Sequence, residues 1–461
     1  MFRIFRNLNF IKGYSKSIKS NHTNEIIENL KKSLSREELI KLSKDELITK
    51  IVRLEAYNRH LANIIKKRVD ESKIKDDTEH DIRKKFDFSK CYKRHILLKF
   101  CYLGWHYDGY AAQVSTPETI EHYIFRALKR SKLIQSQETS NYGCCGRTDK
   151  GVSAFDQVIS IDIRSLFEPK DQLTEKGVRD EINYCLLLNK KLPKDIRVIS
   201  WMPLVTPTYS ARSDCTHRTY RYYFPRGELD IDLMKEACSY LIGSHDFRNF
   251  CKMDVRHGVV QFFRRLDNVE IKLATRNLKE EFDMYYLEIK GSAFLWHMIR
   301  CIVSVLLLIG DKKESPNVIK ELLDVNTHLC KPEYTWASEI PLNLFFCNFR
   351  EDFPNSDSIN VDIINKWQYD EENLREVIMD LQEHWCNESV KSTMIYEMLH
   401  ALQDEYSLKF PTKPKIKKQM VALNCETKRK EYKKLFTRQR CPSLEEKIEH
   451  FTKIGKLNKK L

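Results

Sequence analysis

The 14 cysteines of this 461-residue chain include no Cys-x-x-Cys pair; only Cys144 and Cys145 stand side by side. That absence argues against a zinc ribbon and against a secreted disulfide framework. It favours a reducing compartment in which most of the thiols are small buried hydrophobes. Long apolar runs are missing too. The stretch 301–309 is too short to cross a bilayer and is bounded by Arg300 and Asp311, so it reads as a buried core helix and no membrane partner is expected. There is no glycine-rich nucleotide fingerprint and no set of metal ligands at a recognised spacing, so neither a cofactor nor a metal is expected. Residues 1–24 contain no acid but carry five basic residues, with apolar positions between them. They read equally as a mitochondrial transit segment or as a basic disordered start, which leaves nucleus, cytoplasm and mitochondrion open.

What the chain does have is positive charge. The formal net charge is +14, from 79 Lys and Arg against 65 Asp and Glu. An anionic partner is implied, nucleic acid first. Residues 411–461 hold 16 basic against 5 acidic residues and supply most of the surplus. At 42% hydrophobic and 31% charged residues, the remainder is long and apolar enough for a sizeable core.

Residues 25–85 read as a helical extension and linker. Leu47, Ile51, Leu54, Asn58, Leu61 and Ile65 recur at alternating spacings of four and three. This is the seam of a short coiled coil, or equally of an amphipathic helix docked on the chain's own body. From Phe86 onward strands and helices interleave. Strands are expected over 95–102, 157–163, 196–201 and 217–224, with an antiparallel pair over 259–273 and 283–289. Helices are expected from Pro117, over 176–189 and over 232–242. The interleaving occurs twice, which fits an α+β chain of two similar halves, 86–230 and 231–352. Residues 353–461 change character: 363–408 read as helical with polar breaks, and Ser443 and Glu446 signal a capped terminal helix.

The most informative stretch is Cys145-Gly146-Arg147-Thr148-Asp149-Lys150-Gly151-Val152-Ser153-Ala154. One carboxylate sits between two cations in a turn, with Gly146 and Gly151 available for unusual backbone angles. A β-branched strand follows. A lone acid beside Arg and Lys at a sheet edge is suited to chemistry on a polyanion.

This loop resembles the catalytic loop of the TruA family of tRNA pseudouridine synthases, and its wording is most similar to the eukaryotic branch that modifies tRNA positions 38 and 39. The resemblance runs from about residue 86 to 350. Tyr102-Leu103-Gly104-Trp105-His106-Tyr107-Asp108-Gly109 resembles the family's opening strand and turn. Ser210-Ala211-Arg212 with Arg218-Thr219-Tyr220-Arg221-Tyr222 resembles its second motif. Gly291-Ser292-Ala293-Phe294-Leu295-Trp296-His297-Met298-Ile299-Arg300 resembles its third. The resemblance implies an α+β, two-subdomain pseudouridine synthase fold with a mixed or antiparallel sheet, a basic RNA cleft, and helical N- and C-terminal extensions. It also implies action on the anticodon stem-loop of tRNA, and, from the bacterial relatives, a homodimer.

Pseudouridine formation breaks the C1′–N1 bond of uridine, turns the base, joins C5 to C1′ and releases the C5 proton. The product is an isomer, so one well-placed carboxylate is the essential group. Asp149 is the candidate; it can add to the sugar or the base, or remove a sugar proton. The resemblance pairs it with Arg300, whose charge needs compensation on so apolar a helix. Tyr220 occupies the family's active-site tyrosine, able to stack on the turned uracil and to relay a proton at C5. Tyr222 reads as core. Arg147 is expected to contact the RNA backbone or fill the space of the flipped base, and Arg212, Arg218 and Arg221 to contact phosphates. His245-Asp246-Phe247 is expected as a structural turn. Residues 413–434, with Tyr432 among lysines, are expected to grip the tRNA body.

Overall fold

The computed structural model describes Ser43 and residues 86–255, 261–277, 279–351, 366–413, 423 and 431–454. The basic segment 1–24 and nearly all of the helical extension 25–85, with its heptad seam, lie outside the described residues. Contacts separate Met1–Phe86 from Asp87–Leu461 as a unit of its own.

Within the second unit one sheet carries the described strands. They are β1 (Tyr92–Tyr102), β2 (Gly143–Cys144), β3 (Ser153–Ser165), β4 (Ile196–Pro203), β5 (Cys215–Pro225), β6 (Gly243–Asp246), β7 (Phe263–Thr275), β8 (Met284–Gly291) and β9 (Leu342–Phe349). Their order is β4-β1-β3-β9-β5-β8-β7-β6, with β2 paired to β3. Every pairing is antiparallel except a short parallel contact between β3 and β9. The sheet is therefore mixed, as expected. The long β1–β3 ladder sets Ile96 opposite Ile161 and Leu98 opposite Ile159, aliphatic partners that suit a pleated, buried surface.

Two cores lie along this sheet. The first gathers β1, β3 and β4 with helices α1 (Ile120–Arg130) and α3 (Tyr184–Asn189). The second gathers β5, β7 and β8 with α4 (Ile231–Ser239), α5 (Met298–Gly310) and α6 (Val318–Leu323). Leu344 of β9 belongs to the first and Leu342 to the second, and Tyr220 of β5 packs against both. The seam between the cores thus runs along β5 and β9. All thirteen residues of α5 are buried. Burial of each large aliphatic side chain contributes about 1.5–3 kcal/mol, enough to hold a buried arginine in the same helix.

Three expectations change. The helix expected over 176–189 is two short helices, α2 (Glu175–Arg179) and α3, because Asn183 caps a new start by accepting from Leu186 N–H at 3.1 Å. Glu181 in the gap is drawn into a buried pair with Arg94 at 2.9 Å. The turn expected around His245 is strand β6, which pairs with β7 from Gly243↔Leu266 to Asp246↔Phe263. The C-terminal helix α7 (Glu371–Lys409) has no polar breaks. Only Asn373 and Val377 along it are buried, so polar residues meet solvent and do not interrupt it. It is fixed to α3 by Asn189–Asn373 (2.7 Å) and to the β4 edge by Arg197–Asp380 (2.7 Å). The terminal helix α8 (Leu444–Lys453) does begin with the expected Ser443–Glu446 capping box.

Candidate active site

The loop carrying Asp149 is fixed by its backbone. Tyr110 N–H donates to Thr148 O (3.1 Å), Gly151 N–H to Tyr107 O (3.2 Å) and Val152 N–H to Asp149 O (3.2 Å). Gln157 clasps Gly146 from both sides, donating to its carbonyl (2.7 Å) and accepting from its N–H (3.2 Å). Gly151 adopts φ +79°, and a Cβ there would fall 2.8 Å from Glu339 Cγ, so both strain and space demand glycine. Gly146, by contrast, has no positive φ. Its missing side chain instead leaves room beside Tyr220, whose hydroxyl would lie 3.6 Å from a Cβ at that position.

A cavity of about 570 Å³ opens over this loop, lined by Arg147, Asp149, Arg212, Arg218, Tyr220 and Arg300 together with Phe294, Trp296 and His297. Six of the seven candidates singled out from the sequence are therefore brought together; Arg221 is not among the lining residues. The Asp149 side chain is 28% exposed. Trp296 Nε1–H donates to its Oδ1 at 3.2 Å, and His297 Nε2 lies 3.3 Å from its Oδ2. Arg300 reaches Oδ2 only at 3.9 Å. Its closer partners are Ala337 O (2.7 Å) and Glu339 (2.7 Å). Arg300 is thus shared between two carboxylates, with Glu339 the nearer. Burial raises the Asp149 carboxyl above the usual range, and Glu339 adds to this; Arg300, the Trp296 N–H and Lys252 oppose it.

His297 begins α5 with φ +58°, an uncommon backbone for a residue with a side chain. Burial, then the charges of Arg300, Lys252 and Lys331, lower its imidazole to about 3. The ring is therefore neutral at physiological pH. Donation to Asp149 requires the proton on Nε2, which leaves Nδ1 as an acceptor, buried and without a hydrogen-bond partner.

Tyr220 lines the same cavity, edge-on to Phe294 with centroids 5.1 Å apart. Burial raises its phenol well above the usual value, so it is protonated and can donate. Tyr222 is fully buried, as its core reading requires. Arg147 and Arg212 are exposed at the rim, and no carboxylate among the described residues pairs with either.

Two of the arginines serve the fold. Arg218 donates from Nε to Cys145 O (3.1 Å), and through its terminal nitrogens to Ser292 O (2.6 Å) and Arg212 O (2.9 Å). It clamps the Asp149 loop to the turn before α5, and the expected phosphate contact finds each of its nitrogens engaged. Arg221 pairs with Glu288 (2.8 Å) and lies 3.6 Å from the Phe345 ring centroid. The basic tail is anchored likewise where it is described: Tyr432 donates to Glu314 (2.5 Å) and Leu435 is fully buried. Residues 414–422 and 424–430 lie outside the described residues.

The third motif contained a signal left unread. Trp296 and His297 directly precede α5 and Arg300 lies in its first turn, and this start brings all three toward Asp149. Glu339 had no local signal. Nor did the buried trio Cys145, Cys215 and Cys347, far apart in sequence but with sulfurs within 4.8 Å of one another. Among the described residues this is the one grouping whose ligand atoms could hold a metal, and its soft donors would select a thiophilic cation. Hydrogen bonding from Cys145 lowers the Cys215 thiol, while the other two are raised.

A family model described as tRNA pseudouridine synthase matches residues 237–350. The tRNA pseudouridine(38/39) synthase of Bos taurus is 42% identical over 401 residues, covering 81% of this chain and 80% of that protein. That of Homo sapiens is 38% identical over 440 residues, covering 90% and 88%. The Saccharomyces cerevisiae protein of the same name is 38% identical over 320 residues, covering 67% and 71%. With a partly buried carboxylate, a phenol and a basic rim gathered in one cavity, and relatives this similar along most of its length, the chain belongs to the tRNA pseudouridine synthase family.

Proposed function

We propose that the chain isomerises uridine to pseudouridine at positions 38 and 39 in the anticodon stem-loop of tRNA, with Asp149 as the catalytic carboxylate. The observation that carries this reading is the placement of Asp149: it lines the cavity, held by Trp296 and His297, and the Tyr220 phenol lines the same cavity. The target uridine leaves its stack and enters the cavity, where the Tyr220 ring packs on the base. Asp149 acts in cleavage of the C1′–N1 bond, and after the base turns, C5 bonds to C1′. The C5 proton departs and N1 gains one, so the atoms balance without an outside reagent. The Tyr220 hydroxyl is suited to the C5 proton transfer. Arg300, through its charge rather than a close contact, keeps Asp149 ionisable beside RNA phosphates. Arg147 and Arg212 meet the RNA backbone at the rim.

The same reading includes a homodimer. Trp385, Ile395 and Leu402 on α7 are 72%, 65% and 64% exposed, a large apolar surface for a lone helix, which supports association. Light scattering at working concentration is expected to give twice the chain mass, and a monomer mass contradicts the dimer. The position is tested with stem-loops in which uridine 38, uridine 39 or both are replaced by cytidine. Product is expected from either single replacement and none from the double one; product from the double replacement moves the target elsewhere.

A further inference from the structure

A second cavity, of about 320 Å³, adjoins the first and is not used by the chemistry above. Lys252, Lys331, Lys447 and Arg248 line it, with the aromatic faces of Tyr334 and Trp336. It shares a wall with the Asp149 cavity. Lys252 Nζ sits 4.1 Å from the Trp296 ring centroid and 5.5 Å from that of Trp336, and Trp336 packs on His297 at 4.5 Å.

The positive charge of this second cavity exceeds the acid set against it: Lys252 acts on Asp149 across the wall, and Glu445 and Glu446 act on Arg248 and Cys330 of the lining. Arg248 pairs with Asp246 at 2.7 Å. The three lysines have no carboxylate partner among the described residues. Lys447 donates to Met253 O (2.9 Å), and Lys331 to Cys251 O (3.4 Å) and Cys301 Sγ (3.3 Å). Carbonyls and a thiol orient an ammonium without neutralising it. Glu333 is the one acid in the lining, and it is exposed. Three like charges around one cavity repel each other until an anion enters. The cavity volume suits a phosphate with part of its nucleotide, and the two rings offer stacking faces.

We propose that this cavity takes a backbone phosphate of the RNA, on a nucleotide flanking the one whose base enters the Asp149 cavity. The proposal rests on the RNA-substrate reading above. Lys252 joins the two sites: its ammonium lies on the Trp296 ring whose N–H holds Asp149. A phosphate bound there stands one wall away from the reacting nucleotide, as the next link of a continuous chain must.

The test uses the full chain and unreacted tRNA, with Kd measured across a salt series. Lys447→Gln and the double variant Lys252→Gln/Lys447→Gln leave the Lys331 contacts to the core intact, and a melting curve checks that each folds. Each lost phosphate contact is expected to lower the slope of log K against log salt by about 0.7–0.9, and to weaken binding roughly threefold at moderate salt. Wild-type Kd and slope in the folded double variant overturn the proposal. So does an unchanged slope accompanied by loss of the melting-point increase that inorganic phosphate gives the wild type at fixed ionic strength, for then the site takes a free anion and not RNA. The readout is binding alone, so a wild type that binds tRNA without isomerising it sinks the catalytic reading while leaving this one standing.

Discussion

Asp149 and Asp156 are seven residues apart, both are raised above the usual carboxylate range by burial, and their surroundings differ completely. Asp156 lies within β3, 1% exposed, with Lys99 Nζ at 3.3 Å and the Cys347 N–H at 2.9 Å. Asp149 stands at a loop, opening on a cavity, and its contacts are longer: 3.2, 3.3 and 3.9 Å. One carboxylate is locked into a ladder by a committed cation. The other is steadied by two neutral donors while its nearest arginine attends to Glu339. What separates Asp149 from Asp156 is therefore not burial but an uncommitted face.

This contrast is open to being broken residue by residue. Asp149→Asn is expected to lower turnover by at least about 10³-fold while leaving tRNA binding in place, since the group acts in the reaction and not in affinity. Its melting midpoint at neutral pH should be no lower than that of the wild type, because an ionised Asp149 is held against its burial. Asp156→Ala should do the reverse. It leaves Lys99 and the Cys347 N–H unpaired and is expected to cost about 3 kcal/mol in a denaturant titration, with turnover per folded molecule retained. The Trp367 ring, 4.4 Å from Lys99 Nζ, keeps that loss from being larger.

Tyr220→Phe keeps the ring and removes the hydroxyl. A loss in kcat of roughly tenfold to a hundredfold, with KM little changed, is expected if the phenol moves the C5 proton; Tyr220→Ala should add a loss of binding. The smallest effect is a shift in pH dependence. The Glu339 charge raises the Asp149 carboxyl. Glu339→Gln removes that charge and releases Arg300 toward Asp149, and both changes favour ionisation. The acid limb of kcat/KM should therefore move to lower pH. A move to higher pH would show that Glu339 positions Arg300 for Asp149 and does not compete for it.

The strands were legible because their β-branched runs match the pleat, and α5 because it is apolar throughout. The helix break at residues 180–183 was not: its local sign is the Asn183 cap, and the long-range Arg94–Glu181 pair that draws the gap inward lies in no local window. Strand β6 was hidden for a similar reason: its ladder partner lies twenty residues away, and polar Ser244 and His245 give no strand signal. At the site, motif resemblance located Asp149, Tyr220 and Arg300, and the cavity brings them together. It did not reveal that Arg218 clamps the loop by bonding carbonyls, since a guanidinium's target is a matter of tertiary placement. Trp296 and His297 stood in plain sight within a quoted motif. Their bearing on Asp149 appears only once the loop and the start of α5 are adjacent.

The most direct measurement is single-turnover tritium release from tRNA labelled at uridine C5, with wild type and Asp149→Asn at matched occupancy of bound tRNA. The account predicts rapid release by the wild type and essentially none by the variant. Comparable release from both would mean that the carboxylate at position 149 is not the group that drives the reaction.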